Sequence, residues 1–321
     1  MLRAAQSCRL VWAAAMTKQR DHEMTRIIEG LSEIASLYDA MFVDLWGCVH
    51  NGVRALPEAV AALQMYRQTT GGKVVLLTNA PRPRQSVADQ IRDLGVPDDA
   101  WDTITTSGDS ARSAMFQGAV GSKVWFMGDT ARDMHFFEPL KAIDNPITIE
   151  RVALEDAEGI VCTGPFDPMA DPQVLRPQLL LAKQMGLKLM CANPDIVVDR
   201  GEVREWCAGA VAKLYTEMGG ESLYFGKPHP PIYDLARRRL EAAGGVGIPD
   251  SRILCIGDGV LTDIRGALGE DIDSLFISGG LAARETKTTR QPDPDALRAY
   301  LDKEMVAATY TIGHLRPSLS A

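Results

Sequence analysis

Phe42-Val43-Asp44-Leu45-Trp46-Gly47 (residues 42–47) ends an apolar run, Met41 to Val43, in a carboxylate followed by a turn. A short unbroken apolar run is the pattern of a strand covered on both faces, as in parallel sheets. Open parallel sheets place their chemistry in the crevice at the carboxyl ends of the strands, and Asp44 falls at such an end. Two further runs finish the same way. Val74 to Leu77 leads into Thr78-Asn79, and Ile253 to Ile256 leads into Gly257-Asp258, with Asp263 one helical turn further on. A fourth piece, Phe225-Gly226-Lys227-Pro228-His229-Pro230-Pro231, supplies a lysine.

Outward from the first strand, Pro57 opens a helix that Gly71-Gly72 stops, and a strand over Lys73 to Leu77 follows. That is a βαβ unit, whose right-handed crossover leaves Asp44 and Thr78 facing one crevice. Upstream, the spacing of Ile27, Ile28, Leu31, Ile34, Ala35 and Tyr38 predicts a helix over 27–38. Downstream of Pro81-Arg82-Pro83 come a helix near Ser86 to Leu94 and a strand near Asp102 to Thr106. Apolar runs follow at Val124 to Met127, Ile160 to Cys162 and Leu187 to Cys191. The last third alternates again: a strand at Leu223 to Phe225, a helix from Pro230-Pro231 to Gly244-Gly245, the strand before Asp258, a helix over Ile264 to Leu268 and a strand at Ser274 to Ile277. Glu285 to Asp295 is polar and proline-bearing, hence a loop. Two proline junctions, Pro81 to Pro83 and Asn193-Pro194-Asp195, bracket a segment of domain size. The expected organisation is a tail at 1–26, a core from 27–82 and 200–321, and an inserted domain at 83–199.

The 321 residues are 46% hydrophobic with a net charge of −8, and the isoelectric point is near 5.2. Without a basic surplus, neither nucleic acid nor an anionic membrane is expected as the main partner. No apolar run reaches the length of a membrane-spanning helix. The six cysteines form no CxxC pair, and three of them (Cys162, Cys191, Cys255) lie inside apolar runs, so reduced core thiols in a reducing compartment are expected. Residues 1–20 hold Arg3, Arg9, Lys18 and Arg20 with no acid. A transit peptide is one reading; an upstream start, with Met16 or Met24 opening the protein, is the favoured one. The expected location is cytoplasmic, or an organelle matrix if 1–20 is a transit peptide.

Each polar residue alone has a plain explanation: an Asp or Thr-Asn after a strand caps or turns the chain, and a loop lysine is solvated. Taken together and in this order, the four pieces resemble the four motifs of the haloacid dehalogenase superfamily of aspartate-nucleophile hydrolases. The long segment between the Thr and Lys motifs, with Asn193-Pro194-Asp195 near its end, is similar to class IIA members, which include sugar-phosphate and p-nitrophenyl-phosphate phosphatases. The resemblance spans residues 27–300. It implies an α/β fold: a Rossmann-like parallel-sheet core with an inserted α/β C2-type cap domain. It further implies that Asp44 is the nucleophile, forming an aspartyl-phosphate that water cleaves. Mg²⁺ would be held by Asp44, the backbone carbonyl of Trp46 and Asp258, with Asp263 in its outer shell or orienting Lys227. Thr78 and the N–H of Asn79 would bind the phosphoryl group, and Lys227 would balance its charge. The cap restricts the substrate to a small phosphorylated metabolite. Asn193 and Asp195 are candidate contacts from the cap side, although a turn accounts for them equally. Oligomeric state is unreadable, a homodimer being one option.

One departure bears on mechanism. Superfamily phosphatases read Asp-x-Asp, and the second acid, which protonates the departing oxygen, is here Trp46. Indole transfers no proton at neutral pH, which removes assistance worth roughly 10²–10⁴ in rate. The expected enzyme is therefore an Mg²⁺-dependent phosphatase favouring acyl, aryl or nitrogen-linked leaving groups that need no acid. His50, nearest in sequence, is a candidate replacement acid or substrate contact. The aromatic also invites a 2-haloacid dehalogenase reading, and a non-catalytic phosphometabolite-binding protein is a third option.

Overall fold

In the computed structural model, residues 25–138, 145–200 and 203–318 are described. The basic segment at 1–20 and Cys8 lie outside them. The first half contains β1 (Arg26–Ile27), β2 (Ala40–Val43), α1 (Pro57–Thr70), β3 (Lys73–Thr78), α2 (Arg84–Asp93), β4 (Thr103–Thr106), α3 (Ser107–Phe116), β5 (Lys123–Met127), β6 (Glu150–Arg151) and β7 (Gly159–Cys162). There follow α4 (Arg176–Gln184), β8 (Lys188–Cys191), β9 (Val197–Arg200), β10 (Val203–Trp206), α5 (Ala208–Glu217), β11 (Glu221–Tyr224), α6 (Pro230–Ala242), β12 (Ile253–Gly257), α7 (Arg265–Gly269), β13 (Asp273–Ile277), α8 (Pro294–Glu304) and β14 (Tyr310–Ile312).

The core is a seven-stranded parallel sheet in the order β1-β14-β13-β12-β2-β3-β4. Its central strands are apolar throughout because both faces are covered. Along β2, Met41 and Val43 join one buried layer with Leu63, Tyr66, Leu76 and Ile256. Ala40 and Phe42 join the opposite layer with Val75, Ile232, Ala236 and Cys255. This period-two division fixes the register and aims Asp44, Thr78 and Asp258 at one end of the sheet. Pro57 at the start of α1 and left-handed Gly71 (φ 71°) at its end act as read from sequence.

A second, five-stranded parallel sheet has the order β11-β8-β7-β5-β6, and β9 and β10 form a separate antiparallel pair. One face of this sheet packs against α5 through Val211, Leu214 and Tyr215. The other packs against α3 through Ala111, Met115 and Phe116.

One expectation needs correction. The stretch 27–38 is not one helix: Ile27 pairs with Thr311 at the sheet edge, and two short 3₁₀ turns follow at Leu31–Glu33 and Ala35–Leu37. The backbone N–H groups of Leu31 and Ser32 donate to the carbonyls of Arg316 and Pro317, so tertiary bonds replace the helical ladder while Ile28, Leu31 and Ile34 remain buried. Sheet membership also runs past the expected domain edges of 83 and 199. Thr103–Thr106 pairs with Val75–Thr78 in the core sheet, and Glu221–Tyr224 pairs with Lys188–Cys191 in the second sheet. On this pairing we propose that the insertion is residues 107–224. The two crossings then run side by side, since a Cβ on Gly226 would lie 2.6 Å from Ser107 Oγ.

Candidate active site

Asp44 follows β2 and accepts from Lys227 Nζ at 2.5 Å, although more than half of the chain separates the two residues. The same ammonium lies 2.6 Å from Asp263 Oδ1 and donates to the Leu77 carbonyl at 2.9 Å. All three charged groups are buried. Burial alone would lower the Lys227 ammonium, but Asp263 and Asp44 reverse that and hold it above its ordinary value, so it stays charged. Burial pushes Asp263 up to about 6, against the pull of Lys227.

Asp258 follows β12 and enters the same cluster from the neighbouring strand. Its carboxylate is seated between two glycines: a Cβ on either Gly47 or Gly280 would collide with Asp258 Oδ2. Gly47 also has φ +75°, where a side chain is strained. Asp258 Oδ2 accepts from the Leu281 N–H at 3.0 Å. Burial, with Asp44 and Asp263 nearby, pushes its carboxyl well up. Three buried carboxylates against one ammonium leave a formal charge of −2 when all are ionised. That deficit and the oxygen donors fit a hard divalent cation such as Mg²⁺. Ligand atoms of Asp44, Asp258 and Cys48 all lie within 4.8 Å of one another. Cys48 escaped the sequence reading because a cysteine beside Val49 reads as core; it is indeed buried, and burial raises its thiol.

Thr78 and Asn79 end β3 at the same crevice, both buried. Thr78 Oγ1 accepts from the Ala80 N–H at 3.2 Å. The Asn79 side chain clamps the lysine's own backbone: Oδ1 accepts from the Lys227 N–H at 2.7 Å, and Nδ2 donates to the Lys227 carbonyl at 3.1 Å. Nδ2 also donates to Asp195 Oδ1 at 2.8 Å. This use of the Asn79 side chain was invisible in sequence, where only its N–H was expected to matter. Asn193 turns the chain, its Oδ1 accepting from the Asp195 N–H at 3.1 Å.

Trp46 and His50 meet edge to face with ring centroids 5.2 Å apart, and the indole lies over Gly52. His50 is a poor acid here. Its Nδ1 accepts from the Gly52 N–H at 3.0 Å, and burial with Arg82 nearby lowers it to about 4. At neutral pH the ring is uncharged, which corrects the expectation that His50 replaces the missing acid. Both rings line a cavity of about 1350 Å³ that is also lined by Asp44, Thr78 and Asp258 and by Phe166, Ile196 and Trp206. Among the described residues, no helix is long and apolar enough to cross a membrane, and the five described cysteines are buried.

A family model described as haloacid dehalogenase-like hydrolase matches residues 41–138, and a second HAD hydrolase-like model matches 224–303. A solved structure from Brucella suis 1330, a hydrolase of the haloacid dehalogenase-like family, is 37% identical with a TM-score of 0.77, covering 90% of this chain and 100% of that one. The acid sugar phosphatase of Staphylococcus saprophyticus is 22% identical over 284 residues, 87% of this chain and 95% of that protein. A magnesium complex of the glycerol phosphate phosphatase of Mycobacterium tuberculosis shares the fold at 24% identity and a TM-score of 0.57, covering 77% of this chain and 70% of that one. With over a third of its residues shared along the full length of the Brucella protein, this chain belongs to the haloacid dehalogenase-like hydrolases.

Proposed function

We propose that the chain is a phosphatase that hydrolyses a small phosphorylated metabolite through an aspartyl-phosphate on Asp44. The carrying observation is the placement of Lys227 Nζ, 2.5 Å from Asp44 and 2.6 Å from Asp263 on the carboxyl-end crevice. Burial raises the Asp44 carboxyl, and the Lys227 ammonium pulls against that rise, so the pair sets a carboxylate nucleophile where it can attack phosphorus once ionised. The phosphatases among its relatives support the reading.

Asp44, Asp258 and the Trp46 carbonyl would hold Mg²⁺, with Asp263 in its outer shell. When bound, the ion offsets the repulsion between the nucleophile and the phosphoryl oxygens. Lys227 holds Asp44 in place and meets the charge developing on the phosphoryl group, while the Thr78 hydroxyl and Asn79 N–H donate to its oxygens. Asn79 also fixes Lys227 through both of its backbone groups. Cleavage of the P–O bond leaves the departing oxygen with its electron pair. Neither Trp46 nor neutral His50 gives that oxygen a proton, so weakly basic leaving groups are favoured. Asn193 and Asp195 stand at the cap edge of the cavity, closest in role to substrate positioning.

The test is phosphate release with Mg²⁺ from p-nitrophenyl phosphate and from glycerol 3-phosphate, beside halide release from 2-chloropropionate. We expect fast release from the aryl ester, slow release from the alkyl ester, no halide, and loss of both phosphatase activities in Asp44→Asn. Halide release, or phosphate release surviving in Asp44→Asn, overturns the proposal.

A further inference from the structure

The cavity that holds Asp44 also exposes large apolar side chains that phosphoryl transfer does not use. Phe166 is 48% exposed, Ile196 41% and Leu281 59%, although all three line that cavity, and Trp206 lines it with them. Apolar surface left wet inside a cavity is unfavourable until a ligand covers it. Three separate segments meet to build the part formed by Phe166, Ile196 and Trp206. The Trp206 N–H donates to the Pro168 carbonyl at 2.8 Å, which ties β10 to the loop of Phe166, and the Cys207 N–H donates to the Ile196 carbonyl at 2.9 Å. Trp206 also pairs with Val197 across β9 and β10. Asp195 joins this wall to the reaction centre. It precedes Ile196, and its carboxylate accepts from Asn79 Nδ2 at 2.8 Å, the same amide that holds the Lys227 carbonyl. From the core, the Leu281 N–H donates to Asp258 Oδ2 at 3.0 Å, so a further exposed apolar residue stands beside the carboxylates.

The charged groups around the cavity point the same way. Outside the Asp44 cluster, its cations are answered within the chain: Arg82 donates to Gln90, Arg132 pairs with Asp129 at 3.0 Å, Lys213 with Glu217 at 4.0 Å, and Arg265 donates to the Glu304 carbonyl at 3.3 Å. A second anionic group on the substrate would have to compete with these partners, whereas an apolar group has only water to displace. We propose that Phe166, Ile196 and Trp206 are specificity-determining residues that cover the leaving group, and that the substrate class is an aryl phosphate monoester rather than the phosphate of a sugar or polyol. This rests on the phosphatase reading above and narrows it. Transfer to Asp44 breaks the P–O bond and releases the aryl oxygen as a phenolate, which keeps the bonding pair and takes its proton from water. Trp46 in place of an acid suits the bond that breaks; the apolar wall suits the group beyond it, and the two observations are independent.

The experiment measures kcat and KM for phosphate release with Mg²⁺ from 2-naphthyl phosphate, phenyl phosphate and acetyl phosphate. Acetyl phosphate also departs without an acid but carries a small group, so it separates contact with the wall from leaving-group chemistry. Phe166→Ala, Trp206→Ala and Phe166→Leu are run beside the natural chain. We expect kcat/KM for the naphthyl ester to exceed that for the phenyl ester by ~10-fold, chiefly through KM, because the added ring covers more of the wall. Each alanine variant should cut the naphthyl-to-acetyl ratio of kcat/KM by ~10-fold, and Phe166→Leu should keep most of that ratio because leucine retains apolar area. A merely structural defect lowers both substrates together, so an unchanged ratio in both alanine variants overturns the proposal. Equal kcat/KM for the naphthyl and phenyl esters in the natural chain overturns it as well. Calorimetry supplies a readout without turnover: 2-naphthylmethylphosphonate should bind at least ~10-fold tighter than methylphosphonate, and equal binding overturns the wall. No phosphate release with that binding preference intact removes the phosphatase reading and leaves the wall standing; release without the preference does the reverse.

Discussion

At residue 46 the chain carries an indole where its resemblance leads one to expect a carboxylic acid, and under the proposed mechanism the consequence is a preference rather than a loss. Asp44, Lys227 and Asp258 remain assembled, so the attacking half of the reaction keeps its parts while the leaving half lacks its acid. Trp46→Asp should raise turnover of glycerol 3-phosphate by ~10-fold or more while changing p-nitrophenyl phosphate little, because only the alkyl oxygen needs a proton. The ratio of kcat values on the two esters reads this directly; an unchanged ratio means the acid is not what limits the alkyl ester. His50 invites a second prediction, on stability. Its folded value, lowered to about 4 by burial and Arg82, lies below the ordinary 6.5. The unfolded chain therefore takes up a proton that the folded chain refuses. Stability from this group is complete above pH 6.5 and is lost as pH falls toward 4, by up to about 3 kcal/mol. His50→Asn, which can still accept from the Gly52 N–H, should lack that acid limb when urea unfolding is compared at pH 7 and pH 4.5. Parallel pH profiles for the two proteins would remove the burial argument.

The elements explain why some of the site was readable and some was not. Strands β2, β3 and β12 were legible because a parallel strand buried on both faces must be apolar along its length, which makes the first polar residue after it conspicuous. Asp44, Thr78 and Asp258 each stood out in this way. Strand partners carry no such local mark. Thr-Ile-Thr-Thr in β4 and Glu-Ser-Leu-Tyr in β11 are good strands in either sheet, so nothing local in the sequence says which sheet each joins. The 27–38 segment shows the same limit: its apolar spacing suits a helix, yet the residues are buried by edge pairing and 3₁₀ turns. Contacts made by glycines were also silent. Gly226 is fixed by crowding: a Cβ there would collide with Asn79 Oδ1 and lie 2.6 Å from both Pro194 Cδ and Ser107 Oγ. Gly226→Ala should therefore displace Lys227 from the Asn79 clamp and cut kcat by ~10² or more, since removal of one fixed donor to the reacting group costs that much. Full activity in a folded Gly226→Ala protein would show that the clamp does not position the lysine.

For the molecule as a whole, the site is a place where stability is given up, and the cation proposed above would return it. Asp44 from the end of β2 and Asp258 and Asp263 from the stretch after β12 are brought together, and among the described residues the Lys227 ammonium answers them. Asp263 is raised to about 6 and Asp258 is also raised, both through burial first. A raised carboxyl means that the folded chain binds its proton more tightly than the unfolded chain does. The associated stability is complete below the ordinary carboxylate range and is lost as pH rises through about 6. For Asp263 alone the loss amounts to about 3 kcal/mol. The metal-free protein should thus sit under electrostatic load at pH 7.5 and be relieved of it at pH 5. Mg²⁺ relieves the same load by replacing protons, so its stabilising effect must fade as protons return. Thermal unfolding with and without Mg²⁺ should show a clear rise in Tm at pH 7.5 and a much smaller one at pH 5. Asp258→Asn removes one of the crowded charges together with a ligand oxygen. It should raise the Tm of the metal-free protein at pH 7.5 and abolish the response to Mg²⁺. A Mg²⁺ shift of equal size at both pH values, or one that survives in Asp258→Asn, would place the bound ion elsewhere and detach the acidic cluster from it.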